Sequence, residues 1–240
     1  MLTQSEQVHQ LSWQLLRTQD EERRHIAREL HDSAGQTLAV LGINLATIIK
    51  SARKQAPDIV EAAEQTLEML EDLTKEIRTT SYLLHPPLLD ENGLPAALSW
   101  YIRGVSERSG LDIDFGISEG FGRLSCEMEL VVFRLVQECL TNIHRHSGSK
   151  RAIIRINRDV DRVLIEVRDQ GKGIPKEKVA QIQNGRAGVG IRGMRERLRQ
   201  FQGEMILDST AAGTTVVVTL PVSKEIASST ANGTPLEPAV

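Results

Sequence analysis

Apolar and polar positions keep a helical rhythm through the first third of the chain. From Val8 to about Arg53 no proline occurs, and Ile26, Leu30, Ala34, Leu38, Leu41, Leu45, Ile48 and Ala52 recur three or four residues apart. This spacing predicts one long helix with a single apolar stripe. A polar connection then sets Pro57 in a first helical turn, and Ile59, Ala63, Thr66, Leu70, Leu73, Ile77, Thr80 and Leu84 follow in alternating steps of four and three. Such a seam fits coiled-coil packing. His85, Pro86 and Pro87 stop it. Two long helices with a short loop make an antiparallel hairpin, and one chain alone leaves apolar stripe uncovered. A homodimer closing a four-helix bundle is therefore expected.

Beyond the prolines the rhythm belongs to several shorter elements. A helix is predicted around Leu94–Val105, a strand at LDIDFGI, and a strongly apolar helix with a polar edge at SCEMELVVFRLVQECLTNIHRH. RAIIRIN and RVLIEVRD read as one strand pair, GEMILDS and TTVVVTL as another, with a glycine-rich loop and a helix from about Gly190 between the pairs. Helices grouped with a mainly antiparallel sheet predict an α+β fold, an α/β sandwich following the helical hairpin. The expected domains are 1–88, 89–222 and a disordered tail over 223–240.

Composition narrows the classes. A net charge of −3 offers no broad basic field, so direct nucleic-acid binding is not expected. The longest apolar run, LAVLGINLATII, falls short of the roughly 20 residues of a membrane span. No signal peptide precedes it, so a cytoplasmic chain is expected, with room for a longer membrane-anchored parent. The two cysteines, Cys126 and Cys139, read as reduced, buried packing residues.

Four stretches carry candidate chemistry. Glu138, Asn142 and His146 follow at steps of four and share one helix face. The loop DQGKGIP, with Asp169, Gly171 and Gly173, comes straight after a strand, and glycine there admits close approach of a ligand. GRAGVGIRGMRERL sets Gly185, Gly188, Gly190 and Gly193 at a helix start, where free N–H groups and the helix dipole favour phosphate. Each of these pieces alone also fits a plain structural role. The fourth is RELHDSAGQ. Helical side chains lean toward the N-terminus, so Ala34 and Gly35 leave His31 open on one side. An imidazole with a pKa of about 6.5 is largely neutral and nucleophilic at pH 7. Asp32 is placed to take its proton while the other ring nitrogen attacks. On an ideal helix Gln36 lies about 140° round from His31, which predicts a different surface for it.

In order, a helix with Glu and Asn, DxGxG after a strand, GxG opening a helix and GTT in a last strand resemble the N, G1, G2 and G3 boxes of the GHKL (Bergerat) ATP-binding fold. Histidine kinases, gyrase, Hsp90-type chaperones and MutL-type proteins share that fold. IARELHDSAGQ and LLHPPLLDENGLPAAL resemble the phosphoacceptor segment and domain join of the NarX/DesK-like class of two-component sensor histidine kinases. The resemblance implies MgATP as substrate and Mg2+ held by Asn142. It further implies Asp169 and Thr214 at adenine, with Gly171 and Gly173 shaping that pocket. Gly188, Gly190, Arg145 and His146 would meet the phosphates, and Glu138 would be the N-box carboxylate. Ile174 to Ala187 would be a short lid. His31 would be phosphorylated with Asp32 as its acid/base partner, and Gln36 would orient the water that dephosphorylates a response regulator of LuxR/NarL type. Two other readings of the ATP fold are an ATPase that works as a conformational clamp and a serine kinase of the anti-sigma type.

Overall fold

The computed structural model describes residues 4–53, 56–183 and 188–222. The expected tail, Gly185 and the end of the expected lid, 184–187, lie outside them. The chain divides into two compact units, 1–92 and 93–240.

The first unit is the helical hairpin. Helix α1 spans Gln4–Glu29, α2 Gly35–Ala52 and α3 Pro57–Leu84. Ile49, Val60 and Ala63 form a small buried cluster at the tip, with Ala52 and Leu67 packed on it. Other apolar side chains have nothing over them within one chain: Leu15 is 72% exposed, Ile43 67% and Met69 73%.

The expected single first helix is interrupted. Leu30–Ala34 form one π turn, closed by the Gly35 N–H on the Leu30 carbonyl, between α1 and α2. An i→i+5 turn winds more slowly than an α-helix, so residues five apart come to lie nearly above one another. The 140° separation of His31 and Gln36 assumed a regular helix and is corrected accordingly: the π turn draws the two toward one side.

The division between units falls after Asn92, beyond the boundary drawn at the prolines. Leu89 is 2% exposed, and Asp90 takes Arg24 of α1 through Nη2 at 2.8 Å and Nε at 3.1 Å. Both residues thereby belong to the hairpin. Helix α4, Pro87–Ser109, is broken by Gly93 at φ 79°, a left-handed conformation that glycine adopts readily.

The second unit begins there. Its strands are β1 (Asp112–Ile117), β2 (Arg151–Arg158), β3 (Arg162–Asp169), β4 (Glu204–Thr210) and β5 (Gly213–Pro221). They form one sheet in the order β1-β2-β3-β5-β4. Only β1–β2 is parallel; β2–β3, β3–β5 and β4–β5 are antiparallel. Along β3, Val163, Ile165 and Val167 are buried while Arg162, Leu164 and Arg168 are exposed, the alternation of a sheet covered on one face. The covering layer is α4 and α5 (Cys126–Asn142), whose Leu98, Phe133, Val136 and Leu140 are also buried.

Ser125 caps α5 by accepting the Met128 N–H, and Glu129 in its first turn is fully buried. That carboxylate takes Arg123 at 2.9 and 3.0 Å and the Leu124 N–H at 3.1 Å, which fixes the loop entering the helix. Cys139 is buried as expected, but Cys126 is exposed. It stands at the first helical position, outside the packed face.

Candidate functional site

Helix α5 ends in a second π turn, Ile143–Ser147. Three further elements converge beside it: the loop after β3, helix α6 (Lys176–Gln183) and helix α7 (Val189–Arg199). Between them opens a cavity of ≈ 730 Å³, large enough for a nucleotide. Glu138, Asn142, Arg145, His146, Asp169, Gly173, Gly188, Gly190 and Thr214 all line it. Along the chain these residues are scattered from α5 to β5, and the fold gathers them around one space.

Asp169 ends β3, is 4% exposed, and accepts the Gly171 N–H on Oδ1 at 2.7 Å. That bond folds the loop back and leaves Oδ2 as the acceptor for a ligand. Gly171 itself does not line the cavity; a Cβ there would run into the Ser147 backbone. Its role is to let the loop lie against the second π turn, where the Lys172 N–H reaches the Ser147 carbonyl at 3.0 Å. Gly173 has φ +67°, and a Cβ would strike the Thr210 carbonyl.

Ser209, which no motif singled out, joins two of these walls. Its hydroxyl accepts the Ile174 N–H at 2.7 Å, lies 3.0 Å from the Thr214 hydroxyl, and reaches the Gly213 carbonyl at 3.3 Å. A serine in an exposed-looking strand end carries no pattern, so only the fold reveals it. Lys172 and Lys178 also line the cavity and add their positive charges to that of Arg145.

At the other end, Gly188 is the N-cap of α7 in an extended conformation, and no side chain caps it. The first N–H groups of the helix are thus available to an anion, reinforced by the dipole. Gly190 also makes room for a neighbour, since a Cβ there would fall on the Glu138 carboxylate. Asn142 donates from Nδ2 to Glu138 Oε1 at 3.3 Å, which turns its Oδ1 outward. One amide oxygen beside a phosphate pocket fits Mg2+, a hard cation that keeps several waters and takes most other ligands from the nucleotide. Behind them Cys139 has its thiol pushed up to about 12, by burial first and the Glu138 charge second. It stays a neutral packing group.

His31 and Asp32 lie in the first π turn, both exposed, and line a smaller cavity of ≈ 160 Å³ together with Arg28, His85 and Asp90. Gln36 is exposed and not part of that lining.

These two constellations coincide with two known domain families. Residues 22–89 match HisKA_3, described as histidine kinase, and residues 128–224 match HATPase_c, described as histidine kinase-, DNA gyrase B- and HSP90-like ATPase. The chain thus carries the pair of domains, HisKA_3 and HATPase_c, that makes it similar to sensor histidine kinases of the HisKA_3 type. Among relatives, sensor histidine kinase MctS of Rhizobium johnstonii is 32% identical over 213 residues, 89% of this chain and 46% of MctS. The histidine-protein kinase/phosphatase DegS of Brevibacillus brevis is 27% identical over 220 residues, 88% of this chain and 54% of DegS. The chain thus spans about half the length of these relatives. A solved kinase domain, from a blue-light activated histidine kinase of Erythrobacter litoralis, has 18% identity and a TM-score of 0.48 over 77% of this chain and 96% of its own. Among the described residues no helix is long and apolar enough to cross a membrane.

Proposed function

We propose that this chain is the catalytic core of a sensor kinase that phosphorylates His31 from MgATP and passes the phosphoryl group to an aspartate of a response regulator. Residues 1–92 would be the dimerisation and phosphotransfer hairpin, and 93–222 the ATP-binding domain. The observation that carries this is the shared cavity, which Asp169 and Thr214, the start of α7 at Gly188 and Gly190, Arg145 and His146, and Asn142 with Glu138 line together. The buried Asp169 carboxylate suits a purine amino group, and the uncapped helix start with Arg145 suits a polyphosphate.

Asp169 Oδ2 accepts from the adenine amino group, and the Thr214 hydroxyl assists through water. The N–H groups after Gly188, the Arg145 guanidinium and the His146 imidazole hold the phosphate chain, and Arg145 neutralises part of its charge. Mg2+ at Asn142 would supply charge compensation between the phosphates. Phosphoryl transfer demands mostly positioning and electrostatics, which this donor set provides.

At His31 the unprotonated ring nitrogen attacks the γ-phosphorus. An N–P bond forms, the bond to the β,γ-bridging oxygen breaks, and ADP leaves with that electron pair. The proton on the other ring nitrogen passes to Asp32. Transfer to the regulator exchanges N–P for an acyl phosphate, and Gln36 would direct water for its hydrolysis. Kinase/phosphatase is the description of DegS, and we extend it to this chain. The family resemblance points to a regulator with a LuxR/NarL-type output. Two copies of this chain would cover Leu15, Ile43 and Met69, and work in the cytoplasm would fit the use of MgATP.

The test is incubation with γ-labelled ATP. Acid-labile label mapped to His31 and abolished by His31→Ala is the expected result, and acid-stable label on serine would overturn it. Asn142→Ala should weaken MgATP binding by at least tenfold, and equal affinity would remove the cation role.

A further inference from the structure

The first π turn lies where α3 reaches across to α1. Ser81 of α3 is fully buried, and its hydroxyl donates to the Ala27 carbonyl at 2.8 Å. Ala27 is itself 1% exposed, so water has no access to replace that donor. In a regular α-helix the Ala27 carbonyl takes the N–H of the residue four later, which is His31 itself. The serine hydroxyl thus takes one lone pair of the carbonyl that a regular helix gives to His31, and competes with the His31 N–H for it. Helices leave the i→i+4 ladder where a side chain inserts into it in this way. At the far end of the turn the Thr37 hydroxyl donates to the Ser33 carbonyl at 2.9 Å, a local back-bond of the kind that bends helices.

One turn further along α3 a second link reaches the same place. His85 is 3% exposed, and its Nε2 stands 3.4 Å from Asp90 Oδ2, the carboxylate already bound to Arg24 of α1. His85 and Asp90 line the small cavity with His31 and Asp32. Ser81 on α3 directly, and His85 just past its end through Asp90, thus tie this part of the hairpin to α1 ahead of the π turn.

We infer that Ser81 is a positioning residue for the phosphoacceptor: its hydrogen bond to the Ala27 carbonyl holds the π turn that carries His31 and draws Gln36 toward the same side. The inference rests on His31 as the phosphoacceptor. Without the hydroxyl, the Ala27 carbonyl has only the His31 N–H to accept, and the segment returns toward regular α-helix. His31 and Gln36 then turn apart, and the imidazole leaves its attacking direction.

The test compares the full chain with Ser81→Ala and Ser81→Thr. Ser81→Ala should slow His31 labelling by about tenfold at saturating MgATP. Its MgATP affinity should match the parent's, since Ser81 is not among the residues that line the nucleotide cavity. Ser81→Thr keeps the donor and should restore the rate. Amide hydrogen exchange gives a second reading whose sign separates positioning from mere support. Return to an α-helix would slow exchange across residues 31–35 in Ser81→Ala, whereas simple loosening of the hairpin would speed it. An unchanged labelling rate, a loss not recovered by threonine, or faster exchange over 31–35 overturns the inference. A parent chain that takes no label at His31 overturns the phosphoacceptor reading instead, and the exchange result still decides whether Ser81 holds the turn.

Discussion

Ser209 carries no charge, yet it holds the Ile174 N–H, stands against the Thr214 hydroxyl and supports the hairpin turn at Gly213. Ser209→Ala removes all three partners at once and leaves a half-buried N–H without its acceptor. A hydrogen bond of this kind contributes about 0.5–1.5 kcal/mol net, so MgATP affinity should fall by up to roughly tenfold. Isothermal titration of parent and variant checks it. Gly190 works by subtraction in the same site, since its missing side chain is the space in which the Glu138 carboxylate sits. Residue by residue, the chemistry-bearing groups were legible because they occupy special backbone settings: Asp169 at a strand end, Gly188 at a helix start. Ser209 and Ser81 were not. A hydroxyl that bonds across to another segment leaves no trace in local spacing, because its partner is fixed only when the fold closes.

Most helices and strands were legible to within a few residues, since burial on one face imposes periods of 3.6 and 2, but α6 stands where only a loop was expected. The π turn is the instructive exception. Ile26, Leu30, Ala34 and Leu38 are three consecutive steps of four, each overshooting a regular turn by about 40°, whereas α3 alternates four and three throughout. Leu30, Ala34 and Leu38 are nonetheless all half-buried, which a uniformly wound α-helix would not allow as readily. The run of fours was a mark of slower winding, visible in the sequence and read there as ordinary helix. A second element-scale feature, the buried Glu129 with its Arg123 partner, governs how α5 begins. Arg123→Ala strands a carboxylate that is fully buried. Loss of one partner of such a pair costs about 3–5 kcal/mol, an upper figure here because Arg123 is half-exposed. Urea unfolding of the second unit should show a shift of that order, and a change under about 0.5 kcal/mol would mean the pair is dispensable.

On the scale of the molecule, the two units bury their apolar residues very differently. The sheet unit encloses Phe133, Ile154, Ile156, Ile165 and Leu220 completely, while the hairpin leaves Leu15, Ile43 and Met69 largely in solvent. So much exposed apolar area spread over the three helices is what a subunit interface covers. Ile43→Lys combined with Met69→Lys should weaken self-association by at least tenfold in sedimentation velocity, with MgATP affinity retained. Unchanged dimerisation would place the interface elsewhere. The π turn also alters how the hairpin is counted as a rod. One additional residue within a turn gives α1 and α2 different phases of the heptad, roughly 100° apart on a 3.6-residue count. A helix spliced ahead of α1 therefore has to be matched to the face that ends at Glu29, because heptads numbered straight through to Ala52 would aim it at the wrong neighbour.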